Sequence, residues 1–344
     1  VEVDTYGWNW WYPFDGCSNL KTIEFEEGIT QIPTGIFGNT GLENVKIPDT
    51  VTSIGERSFA DCTKLEKIIF SEKIETINGR AFLGCSSLKS VSLPDSITSM
   101  DTEIFSGCTS LSSVKLPNKC VNIMSSTFEG CTSLTEITLP DTVTTIQDHA
   151  FKNCTALKTI NWSKSITDIQ SYAFENCDAL TKLDIPNTVT NIGTGAFYEC
   201  GGFTDIAVSN SVKNLGSRAF ENCDALAKVS ISDSVTSMGE KAFYDCDALT
   251  DVELGTGITQ IPTSCFEHCD ALPSVVLPYR VSKVGDNAFK NCVALIEITI
   301  PRATTSISSS AFSYPAKMTV YGISGTYAET FANQQGMKFV DKAV

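Results

Sequence analysis

The stretch Ala81-Phe82-Leu83-Gly84-Cys85-Ser86-Ser87-Leu88-Lys89-Ser90-Val91-Ser92-Leu93-Pro94-Asp95-Ser96-Ile97-Thr98-Ser99-Met100 decides the fold, because the chain keeps repeating it. Two units later Phe128, Cys131, Leu134, Ile137, Leu139, Pro140, Val143, Thr144 and Ile146 hold the same places, ahead of Ala150-Phe151. The most regular marker is phenylalanine: Phe14, Phe37, Phe59, Phe82, Phe105, Phe128, Phe151, Phe174, Phe197, Phe220, Phe243, Phe266, Phe289 and Phe312. Twelve of the thirteen intervals are 23 residues, and Phe37 to Phe59 is 22. A fixed period in this range is the signature of a solenoid, in which each repeat is one coil stacked on the last.

The shared pattern is A-F-x-x-C-x-x-L-x-x-I-x-L-P-x-x-V-T-x-I-G. No single coil can bury that many apolar positions, so neighbouring coils must bury them as one column. In L-x-x-I-x-L the Ile and the last Leu point to one face, which reads as an inward-facing strand. Pro94, Pro117, Pro140, Pro186, Pro278 and Pro301 follow it. Proline lacks the N–H for a ladder bond and turns the chain there. V-T-x-I reads as a second, shorter extended piece, and Gly55, Gly193, Gly216, Gly239 and Gly285 suit a bend after it. The A-F-x-x-C spacing predicts one helical or 3₁₀ turn. The expected fold is therefore an α/β solenoid of about fourteen 23-residue coils with stacked parallel strands. At about 4.8 Å per coil it makes a rod or shallow arc roughly 65 Å long.

Composition narrows the partners. The net charge of −15 and the pI of about 4.6 oppose nucleic acid and anionic lipid surfaces. No run of about 18 apolar residues exists, so no direct membrane insertion is expected. The chain starts at Val1 without a basic-then-apolar leader and reads as a fragment from which any signal segment is absent.

Of the fourteen cysteines, twelve fall three residues after the repeat phenylalanine, from Cys17 and Cys62 to Cys292. This regularity opposes a disulfide framework: sulfurs at one place in every coil form a ladder with parallel Cβ vectors. The expectation is a reduced internal column of small buried hydrophobes. Cys265 takes the alanine slot before Phe266, while Cys120 lies off the pattern and is expected to be the exposed thiol. Thr40 and Pro315 interrupt the column near its ends.

Three regions follow: an aromatic segment over 1–13 with Tyr6, Trp8, Trp10, Trp11 and Tyr12, the solenoid over 14–316, and a cap over 317–344. The aromatic segment reads as a lid over the first coil or as a contact patch. In the cap, Met318 to Gly322 and Met337 to Val340 read as strands, and Thr326 to Gln335 as a helix stopped by Gly336, giving a β-α-β-like unit.

The repeat resembles the BspA-like leucine-rich repeat family over residues 14 to about 316, and Gly322, Gly325, Tyr327, Ala328 and Glu329 are similar to that family's C-terminal end. The resemblance implies a leucine-rich-repeat solenoid from a secreted or cell-surface protein of a host-associated microbe. It also implies adhesion to a host or microbial macromolecule, such as an extracellular protein or glycoprotein. The repeat motif itself is structural, so the resemblance carries over no binding residue.

Catalytic chemistry finds little support. His149 and His268 are the only histidines and lie five coils apart, roughly 25 Å at the strand spacing. No metalloprotease, serine-hydrolase or phosphate-loop motif occurs. Cys265, His268 and Cys269 look faintly like metal ligands but lack a fourth member. Neither an enzyme nor a cofactor is expected. Asn153-Cys-Thr and Asn161-Trp-Ser are glycosylation triplets, relevant only to a eukaryotic secretory route.

The candidate ligand surface is the outward side of the strands: Glu24, Lys46, Lys67, Ile69, Lys115, Glu136, Asn161, Lys182, Asp184, Asp205, Lys228, Asp251, Glu253, Val276 and Glu297, with Thr299 in the same row. Acids gather toward its C-terminal half, and no aromatic row runs along it. It reads equally as a binding platform or as a solvated sheet face. The expected role is adhesin-like binding by a monomer through this face; the alternative is a stiff spacer presenting other domains.

Overall fold

The computed structural model describes residues 13–26 and 28–342. The aromatic residues Tyr6 to Tyr12 lie outside them. Each coil has three sides. In the Phe82 coil these are a turn around Phe82, the strand Ser90–Ser92 and the short strand Ser99–Met100. Val91 is buried between exposed Ser90 and Ser92, as period-two alternation requires. Strands pair in parallel one repeat apart: Val91 with Val114, Ile137 with Ile160, Val229 with Val252. The short strands do likewise, as Ile146 with Ile169.

The turn side keeps the single i→i+3 turn that the F-x-x-C spacing predicts and does not extend into a helix. Arg80, Phe82 and Gly84 donate their N–H groups to Thr102, Ile104 and Ser106 of the next coil, while Leu83 and Cys85 donate back within the coil to Arg80 and Phe82. Arg80 and Gly84 have φ of 58° and 70°. A left-handed residue on either side of the phenylalanine stops each i→i+3 turn after one step and turns the alternate donors toward the neighbour. Backbone hydrogen bonds thus join coils on all three sides. The glycines after the short strand have another reason than the one expected. Gly216 is not left-handed; a Cβ there would lie 2.4 Å from the backbone carbon of Gly193, so close approach between coils excludes any side chain.

Inside, the repeat phenylalanines form one continuous stack from Phe14 to Phe312. Ring centroids are 5.1 to 5.9 Å apart and planes within 22° of parallel, the offset arrangement that aromatic quadrupoles favour. Phe331 of the helix Tyr327–Gln335 packs on Phe312 at 6.1 Å and closes this end. Gly336, left-handed with φ 68°, stops the helix, and Lys338–Asp341 pairs in parallel with Thr319–Gly322.

The cysteines are free, and the column has a polar function. In many coils the Phe carbonyl accepts the N–H of its own coil's cysteine, as Cys85 to Phe82 and Cys108 to Phe105. The S–H of the next coil's cysteine points at the same oxygen, with Sγ···O of 3.0 to 3.4 Å from Cys62 to Cys292. The thiol is small enough for the core and fills the carbonyl's second lone pair. Cys120 is not the exposed thiol: it replaces the repeat valine, faces inward, is buried and donates to the Asn122 carbonyl at 3.1 Å. Cys17 is exposed instead.

Two seams cross the rod. No backbone hydrogen bond joins Ser113–Lys115 to Glu136–Thr138 or Ser99–Met100 to Asn122–Ile123, so both sheet sides are open between the Phe105 and Phe128 coils. The same holds between the Phe243 and Phe266 coils, for Asp251–Glu253 against Ser274–Val276 and Ser237–Met238 against Gln260–Ile261. Proline explains the second seam. Pro262 and Pro273 stand where Gly239 and Thr250 donate to the preceding coil, and proline has no N–H to give. The turn side stays bonded at both seams, through Phe105 to Thr127 and Phe243 to Cys265.

Three outcomes are expected. Phe220→Ala, which empties a fully buried site, should cost about 3–5 kcal/mol, read as a fall in the urea midpoint. In native protein a thiol reagent should modify Cys17 alone, and all fourteen cysteines only after denaturation. Burial pushes Cys108, Cys154 and Cys292 up to about 12 from the ordinary 9.0. A thiol raised in the folded state stabilises fully below its unfolded pKa, and that contribution drains away as pH climbs from 9 toward 12. Denaturation midpoints should fall across that window, and less steeply in a Cys108→Ala/Cys154→Ala variant.

Candidate binding face

The strands carry their outward side chains because the alternate residue is committed to the core. Lys46, Lys67, Ile69, Lys115, Glu136, Asn161, Lys182, Asp184, Asp205, Asp251, Glu253, Val276 and Glu297 are all exposed on this face, and Lys228 is half-buried. Glu24 is exposed but stands in no strand. Thr299 departs from expectation: it is buried between Val276 and Tyr321 on the flanking strands.

Some of the charges on this face pair with one another, while Lys46, Lys67 and Lys115 meet no carboxylate within ion-pair distance among the described residues. Lys228 meets Asp251 at 2.9 Å and Glu253 at 3.4 Å, and those carboxylates raise its pKa above the usual lysine value. Ser230 donates to Glu253 at 3.0 Å. Lys182 pairs with Asp184 at 2.8 Å. Asn161 donates to Glu136 at 2.6 Å, and Tyr321 to Glu297 at 3.2 Å. The acids gathered toward the C-terminal half are therefore mostly answered on the spot. Such exposed pairs contribute little to stability but fix where each charge sits.

Unanswered acids collect instead on the turn side. Asp178, Glu199, Asp224 and Asp245 border a groove of about 390 Å³, and none of the four meets a cation within ion-pair distance among the described residues. Burial, then the repulsion of nearby carboxylates, raises Asp224 and Asp245 above the usual carboxylate range. The signal was in the sequence: the residue after the cysteine changes from Thr63, Ser86, Thr109 and Thr132 to Asp178, Asp224, Asp247 and Asp270.

The histidines occupy left-handed positions of the turn side, His149 at φ 57° and His268 at φ 65°. His149 stacks on Tyr172 at 5.4 Å, and His268 Nε2 faces Asn291 Nδ2 at 3.1 Å. The faint Cys265–His268–Cys269 set does not converge. Cys265 Sγ contacts Met238 Sδ at 3.8 Å, and Cys269 points at the Phe243 carbonyl. Among the described residues no three His, Cys, Asp or Glu side chains are placed to hold a metal, and no helix is long and apolar enough to cross a membrane.

A parallel-strand solenoid with an inward phenylalanine–cysteine turn and an outward polar sheet defines a repeat protein of the leucine-rich class. The BspA type leucine rich repeat region matches residues 11–112, 103–224 and 190–319, and the chain belongs to that family. It is similar to a leucine-rich repeat protein of Bacteroides ovatus, at 27% identity and a TM-score of 0.77 over 92% of this chain and 88% of that one. It is also similar to a leucine rich cell surface protein of Faecalibacterium prausnitzii, at 29% identity and a TM-score of 0.56 over 90% and 88% of the two chains. A leucine-rich repeat protein of Eubacterium ventriosum shares the fold at 24% identity and a TM-score of 0.56, over 77% of this chain and 81% of its own. No curated protein matches the chain.

Ion pairing makes one prediction here. Lys228→Ala leaves Asp251 and Glu253 unanswered but exposed, so the urea midpoint should move by no more than about 1 kcal/mol equivalent.

Proposed function

We propose that the protein is a non-enzymatic, adhesin-like binding module of the bacterial surface or its secreted pool, engaging a protein or glycoprotein through the strand face. The observation that carries this reading is the exposure of alternate strand residues, Thr299 excepted, in register across successive coils. That gives a rigid face whose polar groups are held in place before a ligand arrives, so less ordering entropy is lost on binding. The similarity to the Faecalibacterium cell surface protein supports the location.

A screen of the full chain against matrix proteins, mucins and a glycan array, at low and physiological salt, tests the reading. The expected result is a saturable ligand whose affinity falls at least about tenfold when Lys228, Asp251 and Glu253 are reversed together. Folded protein with no ligand in any panel would leave a spacer as the better account.

A further inference from the structure

The strand face is opened at one place by a different cause from the seams. No backbone hydrogen bond joins Thr159–Asn161 to the segment Lys182–Asp184 of the next coil, although the short strands of those same coils remain paired through Asp168–Ile169. Leu183 bridges forward to Ile206 instead. A cleft of about 190 Å³ lies in the opening, floored by Ile160, Trp162, Leu180 and Leu183 and edged by Lys158 and Asp184. Trp162 sits where the neighbouring coils place Leu139 and Ile185, and its ring packs edge-on against Phe174 at 5.9 Å. An indole in a leucine-sized slot overfills it, and overfilled cores relieve strain by shifting backbone. Here the coils part on one side only.

We infer that this slit is the anchoring point of the strand face, taking one apolar side chain from an extended segment of a protein partner, with a carboxylate of that segment over Lys158. The inference rests on the strand-face reading above. Its volume falls below the roughly 300–1,000 Å³ of small-molecule pockets and suits a single side chain. The floor is apolar and the rim polar, the arrangement of an interface hot spot. The N–H groups of Ile160 and Trp162 make no bond to the coil that should follow, so a partner's carbonyls can take them, as in strand addition. Lys182 already pairs with Asp184 at 2.8 Å, whereas exposed Lys158 has no carboxylate within ion-pair distance among the described residues. The one uncommitted charge at the rim is positive, and it selects an acidic neighbour to the apolar anchor.

The test is selection of phage-displayed random dodecapeptides on the full chain, followed by titration of the best sequence as a fluorescein-labelled, end-blocked peptide. The expected outcome is a consensus with a large apolar residue beside Asp or Glu. Affinity should fall at least about tenfold with Trp162→Leu, which lets the ladder close, and with Lys158→Glu, and should not change with Lys213→Glu on the short-strand side. Lys158→Glu keeps the test sound should Trp162→Leu alter folding, which circular dichroism would report. Peptides that lose affinity with Lys228→Glu but not with either slit variant would overturn the slit and leave the strand-face reading standing. Peptides indifferent to all strand-face variants would overturn both, and failure to select any peptide would overturn the slit.

Discussion

Each coil depends on its neighbours for much of its backbone hydrogen bonding and for the cover of its ring. The Phe82 carbonyl is satisfied by Cys85 of its own coil and Cys108 of the next, and the Phe82 N–H by Ile104 of the next. The ring between them is fully buried because two other rings cover its faces. A coil on its own would expose one apolar face and leave several backbone groups unpaired, which is why stability in such folds resides in the interfaces between repeats. The outward strand face follows from the same dependence. Residues freed from the core point outward at a spacing fixed by the stacking.

The repeat was legible because the residues that face inward cannot vary without breaking two coils at once. The phenylalanine period and the alternating strands follow from that constraint. The thiol column was legible as buried and reduced, but its hydrogen bonds were not: they need the carbonyl of a residue 26 positions away, as Cys85 to Phe59. The turn was legible as one i→i+3 step at A-F-x-x-C, but what stops it there was not, because left-handed residues such as Arg57, Glu103 and Tyr172 are not types that announce positive φ.

The binding face was legible as a set of positions and not as a set of charges. Which lysine meets which acid depends on rotamers across coils, so the C-terminal acids looked free when Lys228 and Tyr321 answer them. Trp162 stood in plain view as the only tryptophan in a column of leucine, isoleucine, valine and phenylalanine. Its effect appears only when the ladder beside it is seen to be open.

The seams give the rod a mechanical character that its uniform repeat conceals. Between the Phe105 and Phe128 coils, and again between Phe243 and Phe266, the turn side carries the backbone linkage alone. A bend about that side breaks no sheet bond, whereas a bend anywhere the sheets are continuous breaks several. The molecule is then three stiff blocks on two compliant joints. Pulled or sheared at its ends, the molecule would yield at these joints first and keep the block between them, with its slit, undeformed.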